Sequence, residues 1–80
     1  MSREEILKQV ELIFQDLLDD EEAQITEETS RETLEDWDSL FHMTLMASVT
    51  DEFGISLSTE EIMDTKDVRT LVDCIEKALA

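Results

Sequence analysis

Trp37-Asp38-Ser39-Leu40-Phe41-His42-Met43-Thr44-Leu45-Met46-Ala47-Ser48-Val49-Thr50-Asp51-Glu52-Phe53-Gly54 decides how the rest of this chain is read. From Ser39 onward the apolar residues return at the spacing of an amphipathic helix. His42, Met46, Val49 and Phe53 form the expected core-facing stripe, with Leu45 and Met43 on its flanks. Leu40, Thr44, Ala47 and Asp51 make a second face, beside Phe41 and Ser48. Asp38 has the side chain of an N-cap, and Gly54 suits the left-handed position just past a last turn. The stretch therefore predicts one helix that starts at Ser39 or just before it and stops at Gly54.

Outward from it, the pattern stays helical. Ile6, Leu7, Val10, Ile13, Phe14, Leu17 and Leu18 define a helix over 3–18, with Ser2 as its N-cap and Glu4 and Glu5 at the positive end of the dipole. Between 19 and 38 the periodicity lapses. This segment holds ten acidic residues and a single base, Arg31, with Ile25 and Leu34 as its large aliphatics. It predicts a long polar loop pinned to the core by those two, and loops of this length are commonly functional. Ser58-Thr59-Glu60-Glu61 resembles the capped start of a short helix carrying Ile62 and Met63. Val68, Leu71, Val72, Ile75 and Leu79 share one face of a last helix over 65–79. The expected fold class is all-α: a bundle of three main helices and one short one with a long first loop, forming one domain over 1–80. One Gly and no Pro argue against a hairpin-rich fold.

Charge narrows the partners. Twenty-two acidic side chains face 6 basic ones, a net charge of −16. Phosphate-rich ligands need clustered Lys and Arg, so nucleic acid and anionic membrane surfaces are disfavoured and basic protein partners favoured. The single cysteine, Cys74, cannot form an internal disulfide. The start, Met1-Ser2-Arg3-Glu4-Glu5, lacks the pattern of a signal peptide, and no apolar run approaches a membrane span. A cytoplasmic monomer is the expectation.

Individual residues have ordinary structural readings. His42 stands alone, so neither a paired-histidine metal site nor a Ser-His-Asp arrangement is evident, and a hydrogen bond to the nearby loop is the expected role. Trp37 is expected to anchor the loop against the core. Cys74 reads as a small hydrophobe. Asp19-Asp20-Glu21-Glu22 lacks calcium-loop spacing, and no metal site is expected. A hydrolase using Ser39 lacks a base and a glycine-rich oxyanion loop, so no catalytic residue is assigned.

Leu34-Glu35-Asp36-Trp37-Asp38-Ser39-Leu40, then His42, Leu45 and Asp51-Glu52-Phe53-Gly54, resemble acyl carrier proteins, particularly stand-alone carriers of the Trp-Asp-Ser-Leu type. The resemblance spans essentially the whole chain. It implies a carrier, not an enzyme. A phosphopantetheinyl transferase using Mg²⁺ would move 4′-phosphopantetheine from coenzyme A onto Ser39. The arm's thiol would then present an acyl or aminoacyl thioester to loading and acyl-using enzymes of fatty-acid, polyketide or specialised metabolism. A helix N-terminus favours the phosphodiester anion, and Asp38 would help orient the transferase and its metal. The resemblance also implies a transferase and partner face of Asp38, Leu40, Phe41, Met43, Thr44, Ala47, Asp51 and Ile62. It implies a cargo pocket at Leu45, Val49 and Phe53, with the arm folding back between the second and third helices beside Ile62.

Two features depart from that family. Many fatty-acid carriers have Gly shortly before the serine, where this chain has Asp36 and Trp37. The helix after the serine usually carries several acids, yet 40–50 contains none here, and Thr44 and Phe41 stand where acids are common. Either the docking face is specialised for a dedicated partner met by apolar contact, or loop acids have taken over steering. The competing class is a non-carrier acidic helical module that binds a basic protein.

Overall fold

The computed structural model describes residues 1–80 as four helices: α1 (Arg3–Leu18), α2 (Ser39–Phe53), α3 (Thr59–Asp64) and α4 (Val68–Leu79). Each start is set by a local device. Ser2 and Glu5 form a reciprocal capping box on α1, and Ser58 and Glu61 form another on α3. Asp38 and Asp67 cap α2 and α4 by accepting from Phe41 N–H and Thr70 N–H. The last helix thus begins at Val68, three residues later than the periodicity suggests. Thr65 is instead the C-cap of α3: its hydroxyl donates to the Glu61 carbonyl at 2.7 Å, and its side chain is fully buried.

The helices end on left-handed residues, Asp19 after α1 (φ 53°) and Gly54 after α2 (φ 64°). Glycine takes that conformation freely, whereas an L-residue with a Cβ does so at a cost. Asp19 also adds a carboxylate at the negative end of the α1 dipole. Asp19→Gly is therefore expected to stabilise the fold by about 1 kcal/mol, read as a higher urea midpoint with an unchanged m-value.

α1 packs against both α2 and α4. The core holds Ile6, Val10 and Phe14 of α1, Leu45, Met46 and Val49 of α2, and Val68, Leu71, Val72 and Ile75 of α4, closed by Ile25 and Trp37 from the long loop. The buried face of α2 is His42, Leu45, Met46 and Val49, an i, i+3, i+4, i+7 set. Leu45 is therefore central rather than flanking. Phe53 is only half-buried and Met43 is exposed, so the stripe lies further round the helix than expected.

Residues 19–38 are irregular but held at several points. Ile25 enters the core while its N–H donates to Glu11 Oε2 at 2.9 Å. Gln15 Nε2–H donates to the Ala23 carbonyl at 2.9 Å. Ser30 and Asp67 form an isolated antiparallel bridge, with Arg31 N–H on the Lys66 carbonyl and Val68 N–H on the Thr29 carbonyl. Trp37 is the deepest anchor, packed edge-on to Phe14 at 5.2 Å between ring centroids. Leu34 contributes only a half-buried contact.

Scarce cations do much of the electrostatic tethering. The Arg3 guanidinium pairs with Glu27 of the loop at 2.6 Å and with Asp73 and Glu76 of α4, while Arg69 reaches Glu27 and Glu28. The hydrogen bond from Arg3 pulls the Glu27 carboxyl below its ordinary value of 4.5. A carboxyl depressed in the folded state contributes stability that is present above the unfolded value and lost as pH falls through the folded one. Glu27→Gln is accordingly expected to lower Tm at neutral pH. The gap from the parent chain should close as the pH drops from about 5 to 3, in a pH series of thermal melts.

Candidate functional site

Ser39 is the first residue of α2 and is exposed to solvent. Its position follows from the residue before it. The Asp38 carboxylate accepts from Phe41 N–H at 2.8 Å, and the Asp38 carbonyl accepts from His42 N–H at 2.9 Å. Capping is thus done by Asp38, and the Ser39 hydroxyl is left facing water. The N–H groups of Ser39 and Leu40 lie in the first turn, where a helix offers no carbonyl partner. An exposed hydroxyl beside two free amides at the positive end of a helix fits a phosphodiester well.

The loop that delivers Ser39 is rigidly set. Trp37 is buried, and its indole N–H donates to His42 Nδ1 at 2.9 Å. The indole can only donate, so Nδ1 is unprotonated and Nε2 carries the ring proton. Nε2–H points at the Ile62 carbonyl of α3, 2.7 Å away. The two rings stack at 6.0 Å with planes 25° apart. His42 therefore has the structural role its sequence position suggests, with one bond to the loop and a second to α3.

The surface around Ser39 is apolar with acidic edges. Leu40 and Met43 on α2 and Met63 on α3 are 78%, 60% and 70% exposed. Thr44, Ala47 and Asp51 also lie on the open face of α2, and the Thr44 hydroxyl donates back to the Leu40 carbonyl. Phe41 differs from these: its ring leans on Phe14 at 5.7 Å and it is half-buried, so it braces the core as well as facing the site. Ile62 is half-buried between α2 and α3.

Two open grooves flank Ser39. One, of about 390 Å³, lies between the end of α1 and the start of α2, among Leu17, Leu18, Leu40 and Phe41, with Asp36 and Asp38 at its edge. The other, of about 350 Å³, lies between α2 and α3, lined by Met43, Met46, Ala47, Ile55, Leu57 and Ile62. Leu45 and Val49, expected to line a cargo pocket, do not reach this groove. Both are fully buried in the core, and Phe53 is half-buried beside Glu52 and Leu79 rather than between α2 and α3. Helical periodicity reports that a residue faces inward, not which neighbour it faces, and here Met46 takes the groove position. No sequence signal had marked Met46, Ile55 or Leu57 for this surface.

The phosphopantetheine attachment site family matches residues 8–75 of the chain. The chain belongs to the acyl carrier protein family. An acyl carrier protein of Coprothermobacter proteolyticus is 35% identical over 79 residues, spanning 99% of this chain and 96% of that protein. The solution structure of the holo acyl carrier protein of Geobacter metallireducens superposes with a TM-score of 0.84 at 34% identity, covering 92% of this chain and 85% of that one. A carrier of this family is not an enzyme, and its cofactor is 4′-phosphopantetheine, held covalently. The cofactor supplies a thiol that forms the thioester. The protein's part is to offer the tether point and the surfaces that other proteins meet. The non-carrier interaction module is set aside by this membership. A phosphopantetheinyl transferase and acyl-handling enzymes are the partners the family implies.

Proposed function

We propose that Ser39 is the residue that carries the phosphopantetheine arm and that the chain presents an acyl or aminoacyl thioester to a dedicated set of partner enzymes. The observation that carries this is the exposed Ser39 hydroxyl at the start of α2, released from capping by Asp38. Mass spectrometry after incubation with coenzyme A, Mg²⁺ and a broad-specificity transferase tests it. One phosphopantetheine adduct is expected, and an adduct that persists in Ser39→Ala would place the arm elsewhere.

The docking face supports partners outside bulk fatty-acid synthesis. Residues 40–50 carry no acid, and their exposed members around Ser39 are Leu40, Met43, Thr44 and Ala47. Such a face is recognised by desolvated apolar contact, while the acidic loop and Asp51 supply steering. Leu40→Ala and Met43→Ala are each expected to lower kcat/KM for loading about tenfold, as loss of a buried side-chain contact would. Asp51→Asn is expected to change it less than about threefold, and mainly at low salt. Phe41→Ala is also expected to slow loading, but a thermal melt must accompany it because Phe41 supports Phe14. A partner enzyme equally sensitive to all of these would show that charge, not apolar fit, governs docking.

A further inference from the structure

α3 is the least anchored element of the bundle. None of its 6 residues is buried. Its N-terminal end is closed on itself by the Ser58–Glu61 capping box, and its C-terminal end is held by the buried Thr65. Between those ends, the hydrogen bond that joins α3 to α2 is the one from His42 Nε2–H to the Ile62 carbonyl. The imidazole cannot turn away from that carbonyl, because Trp37 N–H occupies Nδ1 and the indole stacks on the ring.

We propose that His42 is a positioning residue that latches α3 to α2 and so sets how readily the groove between them opens for an unbranched apolar acyl chain. The cargo half of this proposal rests on attachment of the arm at Ser39. The groove walls are Met43, Ala47, Ile55, Leu57 and Ile62 over Met46, with no charged side chain among them. Methionine side chains adapt to a flexible chain. Deepening the groove moves Ile62 away from His42. A hydrogen bond of 2.7 Å is lost within about an ångström of such movement. The latch then leaves a donor and a carbonyl without partners, which opposes opening until cargo occupies the space. The residue just before Asp38 is bonded to the same ring, so the loop holding Ser39 and the position of α3 share one support.

Two substitutions separate the two ends of the imidazole. His42→Asn keeps an acceptor for Trp37 and is too short to reach Ile62, whereas His42→Gln reaches Ile62 and gives up Trp37. In the unmodified chain, His42→Asn is expected to raise amide hydrogen exchange in α3 about three- to tenfold relative to α4, and His42→Gln to leave that ratio near the parent value. In the parent chain, the His42 Nε2 proton is expected to exchange at the rate of the α3 amides. In the holo chain, octanoyl loading is expected to raise Tm over acetyl loading by more in His42→Asn than in the parent. Exchange that rises equally in α1, α3 and α4 would overturn the latch, leaving His42 a core residue only. So would a Nε2 proton that exchanges as slowly as the α4 amides, a result readable even if His42→Asn fails to fold. If Ser39 accepts no arm, the cargo half falls with the attachment, and the α3-to-α4 exchange ratio still decides the latch.

Discussion

Trp37→Ala is expected to remove most of the stability of the fold. The indole is 2% exposed and fills the space between the long loop, Phe14 and His42. Truncating a buried tryptophan to alanine costs about 3–5 kcal/mol, and a chain of this size has only about 4–12 kcal/mol in total. The loss is compounded by His42, whose Nδ1 would lie buried without its donor. Trp37→Phe should be much milder, at about 1–2 kcal/mol, because it keeps the ring contact and removes only the donor. Urea unfolding followed by circular dichroism gives both values. If Trp37→Ala lost less than about 1 kcal/mol, Trp37 would not be the anchor of residues 19–38.

Ser39→Ala should have the opposite profile: complete loss of the phosphopantetheine adduct with stability unchanged to within about 0.5 kcal/mol. The side chain is exposed and the cap of α2 belongs to Asp38, so removing the hydroxyl leaves no buried group unpaired. Function without structural cost marks a residue kept for its chemistry. Circular dichroism melts of the two proteins should overlay while their masses after transferase treatment differ by one arm. A large drop in Tm for Ser39→Ala would mean that the hydroxyl has a structural role unlike the one described.

The helix starts were legible because their causes are local. Ser2 with Glu5, Asp38 before Ser39, and Ser58 with Glu61 are short-range pairs, and they mark α1, α2 and α3 at the positions seen. Gly54 is equally local, since its left-handed φ is something glycine accepts without a neighbour's help. The start of α4 was less legible. Thr65 and Lys66 extend the polar pattern backward from Val68, and only the burial of Thr65 under α3 and the bridge from Ser30 to Asp67 show that the chain turns there. For the site, Ser39 and Asp38 were legible from their order along the chain, whereas the lining of the α2–α3 groove was not. Leu45, Met46 and Val49 all lie on one side of α2, and which of them meets α3 depends on how α1 and α4 are seated.

What the sequence determined by itself was the set of helices, the acidic loop and a serine set beside its own capping aspartate, because propensity, capping and periodicity act within a few residues. What the tertiary structure alone decided was the partnership of Trp37, His42 and Ile62, the gathering of Glu27, Asp73 and Glu76 around Arg3, and the shape of the groove. Those contacts join positions far apart in the chain, and their geometry exists only after the helices have packed.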